Sequence, residues 1–228
     1  MTYRYVLPPA HHLTWLSEVL TWRGNAVASL VPQGTATVLR VRHPAYRLDG
    51  AGQPVRLTWA EAVPNRAVAP DDQFSDLVDD LDYDNGPSTR EACWDIGPVK
   101  GALPHELAVT LAGLLPSSDP WWFGVWAGWA SVSPYAPKTS HFAAGGRSYH
   151  LLSGTAEDVG VSLSPTDWRT PNLWWDESLS WWVHTDVDRA DSFLSVPDEL
   201  VGRLEQGLAS YELSAVRRDD LLYPLTHR

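Results

Sequence analysis

The residues best suited to chemistry in this sequence are an imidazole and two carboxylates that alternate along one short segment, His184, Asp186 and Asp188. Side chains on an extended strand point alternately to opposite faces, so these three groups should share one face with Trp182. The other face of the same strand is apolar and consists of Trp181, Val183 and Val187. We therefore expect the apolar face to turn inward and the polar face to remain accessible.

Two kinds of chemistry fit this polar face. Imidazole and carboxylate groups suit a divalent metal ion, and His141 or His150 could complete the coordination from a neighbouring strand. Alternatively, His184 and Asp186 could act as a general acid–base pair, because aromatic surroundings such as Trp182 shift pKa values. The sequence contains no HxH or HExxH element, and we predict neither a metal nor a cofactor.

A covalent mechanism lacks a candidate nucleophile. Ser131 and Ser153 lie outside any GxSxG arrangement, and Cys93 has no imidazole close to it in the sequence. The residues therefore form no complete catalytic signature and assign no reaction.

Tryptophan is frequent, with 13 in 228 residues. Most of these side chains alternate with small residues along predicted strands, which is typical of a core. Others could be presented at a groove, because tryptophan and arginine concentrate binding energy at interfaces. Trp182 is the best candidate. Together with Trp126, Arg147 and His150 it could form the wall of a cleft for a carboxylate, a sugar or a peptide.

The elements that must position these residues follow from local patterns. Two tryptophan pairs, 174–175 and 181–182, flank an acidic turn and predict a β-hairpin. Further strands are predicted at 37–43, 121–132 and 147–152, and helices at 13–22, 58–64 and 104–116. A last helix is predicted after a cap at 195–198, with an apolar stripe from Leu200 to Tyr211. Without regular βαβ alternation, this order predicts an α+β fold with a mainly antiparallel sheet and helices packed on it. We predict one domain over residues 1–228.

The overall charge and apolar pattern exclude several classes of protein. A formal net charge of −11 disfavours a nucleic-acid binder, which needs basic groups to displace phosphate counterions. No apolar run approaches the roughly 18 residues of a membrane-spanning helix. The first nine residues lack the pattern of a secretion signal, and the single cysteine can form no internal disulfide. These features predict a cytoplasmic protein.

A strongly acidic connector is predicted at about 71–90. Its first part contains seven aspartates and no basic residue: Asp71, Asp72, Asp76, Asp79, Asp80, Asp82 and Asp84. One interpretation is a solvated segment folded against the arginine-rich first 66 residues. The other is a docking surface for a basic protein partner, in which Asp76, Asp79, Asp80 and Asp82 speed association.

Calcium binding is a third interpretation of this run. Asp80, Asp82, Asp84 and Glu91 are spaced like ligands of an EF-hand loop. However, Gly86 falls at the seventh position of that loop instead of the sixth, and no helix pattern precedes it. The spacing therefore favours calcium less than the other two interpretations.

The segment from Pro171 to Ser178, with Trp181 and the run Thr185 to Asp188, resembles a motif of a family of uncharacterised actinobacterial proteins. In that family a double tryptophan, an acidic turn and a Thr-acid-aliphatic-Asp strand recur. The run His43 to Arg47 is similar to a second short segment of the same family. The resemblance implies a shared fold and a bacterial origin, and it carries over no activity.

Taken together, the sequence predicts an acidic binding or interaction domain, immunity- or antitoxin-like, that docks a basic protein partner. The alternative is a small-molecule enzyme, with or without a metal ion, that uses the face of Trp182, His184, Asp186 and Asp188. For that alternative, these side chains must converge in a cleft with Arg147 or His150.

Overall fold

A computed structural model describes residues 4–5, 14–16, 24–34, 36–78, 93–117, 120–132, 141–144, 146–164, 166 and 168–223. The strands are β1 (Arg4–Tyr5), β2 (Thr37–Arg42), β3 (Ala45–Leu48), β4 (Pro54–Leu57), β5 (Trp121–Trp126), β6 (His141–Ala144), β7 (Arg147–Gly154), β8 (Leu173–Asp176), β9 (Trp182–His184), β10 (Asp191–Val196) and β11 (Glu212–Val216). The helices are α1 (Trp59–Ala62), α2 (Phe74–Leu77), α3 (His105–Leu114) and α4 (Asp198–Gly207). Two 3-10 helices cover Val27–Ser29 and Ala156–Gly160.

The described part forms one nine-stranded antiparallel sheet and one two-stranded sheet. The large sheet has the order β1-β7-β5-β8-β9-β10-β2-β11, with β6 also paired to β7, and β3 pairs with β4. The predicted α+β architecture is therefore confirmed. Among the described residues, no helix is both long enough and apolar enough to cross a membrane.

Adjacent tryptophans supply both faces of the large sheet. On one side, called here the helix-covered face, Trp121, Trp174 and Trp181 pack with leucines of α3 and α4. On the other, Trp122, Trp175 and Trp182 pack beneath residues 27–31 and Leu222. We call this second side the terminal-segment face. Because neighbouring residues of a strand point to opposite faces, each tryptophan pair contributes one ring to each core layer.

The predicted β8–β9 hairpin is confirmed, and Asp176 closes its acidic turn. The Asp176 carboxylate accepts hydrogen bonds from the backbone N–H of Ser180 at 2.7 Å and from the Ser180 hydroxyl at 2.7 Å. The Ser178 hydroxyl also donates to it. Leu179 adopts a positive φ of 57° within this turn. The acidic residue of the motif thus fixes a local backbone geometry.

Several predicted boundaries shift in the structure. The strand predicted over 121–132 ends at Trp126, because the chain turns back and packs Trp129 edge-on against Trp126 with ring centroids 5.1 Å apart. The last helix begins at Asp198, directly after the expected cap, but it ends at Gly207, before the expected end of its apolar stripe at Tyr211, and Ser195 belongs to β10. The sequence patterns did not predict α2 or the strands β1, β3, β4, β6, β10 and β11. Of the predicted first helix, only residues 14–16 are described, and they are helical.

A third apolar cluster lies beside the small sheet and anchors the start of the acidic connector. Phe74 and Leu77 of α2 pack there with Trp59 and Trp94. Phe74 contacts both indoles edge-on, with centroid distances of 5.6 Å to Trp59 and 5.5 Å to Trp94. Residues 74–77 are therefore held against the body of the protein by their apolar side chains.

Candidate functional site

Trp182 and His184 lie on the terminal-segment face, as their alternation predicts, but both are buried. Their relative exposures are 1% and 3%. The Trp182 indole N–H donates to the Leu30 carbonyl at 2.9 Å, and His184 Nδ1 lies 2.8 Å from the same oxygen. The prediction of an accessible face is wrong for these two residues. Alternation identifies which side chains share a face, but it cannot show that residues 27–31 cover that face.

The contact with Leu30 also determines the protonation of His184. A carbonyl oxygen only accepts, so Nδ1 carries the proton and Nε2 is left with a lone pair. Burial lowers the pKa of His184, and it outweighs the opposing effect of the nearby Asp186 charge. Within the described residues, the buried Nε2 makes no hydrogen bond. His184 is therefore a neutral imidazole at pH 7, closed off from the surface.

Arg147 binds two carboxylates of the predicted site, those of Asp186 and Asp188. Its Nη2 donates to Asp186 at 3.1 Å and to Asp188 at 2.7 Å, and its Nε lies 3.2 Å from Asp186. The guanidinium carbon is 5.8 Å from the centre of the Trp126 ring. Although burial lowers the pKa of Arg147, the hydrogen bond to Asp188 and the charge of Asp186 raise it overall. The structure thus brings Arg147, Asp186, Asp188 and Trp126 together, as an ion-paired group.

His150 does not join this group. Its neighbours Tyr149 and Leu151 belong to the terminal-segment face, so His150 points to the opposite side of the sheet from His184. There it pairs with His141 across the β6–β7 ladder, with ring centroids 4.1 Å apart. Burial, with a smaller effect of His141, lowers the pKa of His150 to about 4.

This placement contradicts the metal site that joins His184 to His141 or His150, because the sheet separates them. Within the described ranges, no group of three or more His, Cys, Asp or Glu side chains is arranged to hold a metal ion. The calcium spacing begins at Asp80, outside the described residues.

A buried ionic network, missed by the sequence analysis, lies under the acidic connector. Asp191 accepts from Arg189 at 2.7 Å through both carboxylate oxygens and from Arg40 at 2.5 Å. All three side chains are at most 3% exposed. Burial raises the pKa of Asp191, but the two arginines lower it to about 2, so the carboxylate stays ionised. Arg40 lies on a strand beside Arg42, and such an alternation is more typical of a solvated face.

His43 packs against this network from the neighbouring layer. Its Nε2 lies 2.9 Å from the Ser192 hydroxyl and its Nδ1 lies 2.6 Å from the Val99 carbonyl. Burial lowers the pKa of His43 to about 4. It is consequently neutral at pH 7, with both ring nitrogens engaged.

Arginines hold the start of the acidic connector through main-chain carbonyls. Arg40 donates to the carbonyls of Pro70 and Asp72, the latter at 2.6 Å. Arg42 reaches the carbonyl of Ala69 at 2.6 Å, and Arg66 reaches the carbonyl of Asp76 at 2.9 Å. The described start of the connector, residues 71–78, is therefore folded against N-terminal arginines, as one interpretation predicts for the whole segment.

The carboxylates of the same segment take no part in the ion pairs of the described residues. Within the described residues, Asp71, Asp72 and Asp76 form no ion pair. Asp72 accepts from the Ala69 N–H at 2.6 Å, and the exposed Asp76 accepts from the Gln73 N–H at 2.9 Å. Asp79, Asp80 and Asp82 lie outside the described residues. The ion pairs of the described residues therefore leave these three carboxylates unused.

A cleft of about 370 Å³ opens beside this segment, next to edge strand β11. We call it the β11 cleft. It is lined by Val27, Arg40, Pro70, Asp71, Phe193, Val216, Asp220 and Leu221. Asp71 and Asp220 are its acidic residues. The apolar side chains that line it, besides Pro70, are Val27, Phe193, Val216 and Leu221.

Comparison with known proteins gives no further guide to this site. No protein-family model, no curated protein and no solved structure significantly matches the chain. The resemblance to the actinobacterial family stays a prediction. The proposed function is therefore inferred from the geometry of the described residues.

Proposed function

We propose that this protein is a cytoplasmic, immunity- or antitoxin-like binding module that docks a basic protein partner on its acidic connector. The supporting observation is the way in which the connector is anchored. Arg40 and Arg66 bind the main-chain carbonyls of Asp72 and Asp76, and Arg42 binds that of Ala69, so among the described ion pairs none uses the carboxylates at 71, 72 and 76. Carboxylates held on an anchored segment and left out of these ion pairs are suited to electrostatic steering.

The buried state of the imidazoles supports a binding role over catalysis on the same face. A general acid or base must reach the proton that it transfers. His43 and His184 are buried and bonded to main-chain carbonyls, and the charge of Asp186 is matched by Arg147. In these positions His43, His184 and Asp186 make contacts within the fold.

The proposal is tested by removing charge without disturbing the contacts of Asp76. The triple substitution Asp79→Asn, Asp80→Asn and Asp82→Asn should slow association with a hexa-arginine peptide about tenfold at low salt, because steering depends on local charge. Stopped-flow fluorescence with a labelled peptide measures this rate.

The matched control changes the net charge equally at exposed sites elsewhere. Glu157→Gln, Glu199→Gln and Glu205→Gln remove the same three charges from the 3-10 helix after β7 and from α4. Its association rate should fall much less than that of the connector variant. Equal rates for the two triple variants would show that the connector is not the docking surface.

A small-molecule enzyme is the second candidate, and one observation favours it. The lone pair of His184 Nε2 is buried without a hydrogen bond in the described part of the chain, and burial lowers the pKa of that imidazole against the smaller opposing effect of the Asp186 charge. A ligand donor could occupy such a position. Imidazole ¹⁵N shifts of His184 that move on addition of small carboxylates or sugars, and fail to move in Arg147→Gln, would support it.

A further inference from the structure

The geometry points to the β11 cleft as an anchor pocket for one arginine side chain of the basic partner. This inference rests on the proposed function and adds the place and the chemical group by which the partner is held. The cleft volume of about 370 Å³ is near the lower end of the roughly 300–1,000 Å³ typical of ligand sites. It therefore suits one long side chain better than a whole helix.

Apolar side chains form the walls of the cleft. Phe193 of β10 and Val216 of β11 come from the sheet, while Val27 and Leu221 come from the segments that cover it. These walls can pack against the methylene stem of a long basic side chain, which buries apolar surface while its charged end stays near polar groups. The apolar walls thus favour arginine or lysine over a short polar side chain.

The charges at the cleft favour a cation. Asp71 and Asp220 line it, and the side chain of Arg40, although it contributes to the lining, is only 3% exposed. Arg40 directs its donors to Asp191 and to the carbonyls of Pro70 and Asp72. Its donors are therefore already occupied within the fold, and the two carboxylates that line the cleft outnumber its single positive charge.

A guanidinium suits this pocket better than an ammonium. The guanidinium is planar, weakly hydrated and able to donate to two carboxylates at once. An ammonium is a compact and strongly hydrated charge, so its transfer into a cleft with apolar walls costs more. We therefore expect the pocket to discriminate between an arginine and a lysine at the anchor position.

The test is to fill the cleft without changing its charge. Val216→Trp should weaken binding of a hexa-arginine peptide about tenfold, in line with the loss of a buried anchor. Binding of a hexa-lysine peptide should weaken less. Leu221→Trp fills the cleft from the opposite wall and serves as a second variant if Val216→Trp does not fold. Val161→Trp, at a valine that is 44% exposed and outside the cleft, is the matched control.

The outcomes separate this inference from the proposed function. If cleft-filling variants bind hexa-arginine like the wild type while the connector triple variant associates slowly, the pocket is refuted and the docking surface stands. If neither set has an effect, both are refuted.

A measurement without substitutions gives an independent result. In methyl NMR spectra of the wild-type protein, the methyl resonances of Val27, Val216 and Leu221 should shift on titration with hexa-arginine. Those of Val109 and Val161, which are exposed elsewhere, should not shift. Shifts absent from the cleft methyls would contradict an anchor at this position.

Discussion

Arg40 links the buried core of this protein to its acidic surface. On one side it binds Asp191, which is completely buried, and on the other it binds the carbonyls of Pro70 and Asp72. Two arginines share one carboxylate in this network, so the carbonyl oxygens supply the remaining electrostatic compensation. The position of the acidic connector thus depends on an ion pair in the interior.

Removal of Asp191 should therefore be severe. Asp191→Asn leaves Arg40 and Arg189 buried without a counter-charge, and the loss of one partner of a buried pair typically costs about 3–5 kcal/mol. Urea unfolding should show this decrease in the free energy of unfolding. Asp219→Asn, at an exposed carboxylate that pairs with Arg217 at 2.9 Å, should leave the midpoint unchanged. A wild-type midpoint for Asp191→Asn would contradict the role assigned to the network.

Local patterns predicted three of the four described helices but only five of the eleven described strands. The capping box Thr58–Glu61 and the leucine stripe after Pro104 predicted α1 and α3, because their signals lie within a few residues. β10 and β11 were both missed. For β10 the reason is that it is buried on both faces, so its sequence shows no apolar–polar alternation to detect.

The candidate site was less predictable than the fold. Arg147 reaches Asp186 and Asp188, but the strand expected to run through Asp188 ends at His184, so alternation along β9 does not place these two carboxylates. The burial of His184 depends on Leu30, which is 154 residues away. Likewise, the contacts of Arg40 with the connector join residues about 30 positions apart through main-chain oxygens, which have no sequence signature. A local sequence pattern cannot predict a contact that a side chain makes with the backbone of a distant segment.

The end of β5 offers a test at this scale. A Cβ at Gly128 would lie 2.2 Å from the Trp126 ring, so Gly128→Ala should destabilise the protein by about 1–3 kcal/mol through overpacking. Gly113 lies in α3 with nothing within 4 Å of its Cβ position, so Gly113→Ala should stabilise the protein by about 0.5–1 kcal/mol. Thermal unfolding of both variants measures the contrast. Equal melting temperatures would show that the turn does not pack on Trp126 in this way.

At the scale of the whole molecule, buried neutral histidines couple stability to pH. The pKa of His43 is about 4 in the folded protein, against an ordinary value of 6.5. Between these values the unfolded chain binds a proton that the folded chain does not, so stability decreases as the pH falls. His150 and His184, with lowered pKa values, act in the same direction.

We expect about 3 kcal/mol of stability to be lost through His43 alone between pH 6.5 and pH 4. Asp191 adds a further loss below its ordinary value of 3.8, because its folded pKa is about 2. Denaturant unfolding at a series of pH values gives this curve. A free energy of unfolding that stays constant from neutral pH to about pH 4.5 would contradict the burial of neutral imidazoles.

The proposed electrostatic docking depends on the net charge of −11 and on Asp71, Asp72 and Asp76, which take no part in the ion pairs of the described residues. The most direct test is the association rate of the wild-type protein with hexa-arginine, measured as sodium chloride rises from about 20 mM to about 200 mM. We expect the association rate of the wild-type protein to fall about tenfold over this range. The connector triple variant should associate slowly even at low salt, and its rate should change little as salt rises. A rate that is independent of salt, or an equally steep fall for the triple variant, would contradict the proposed docking.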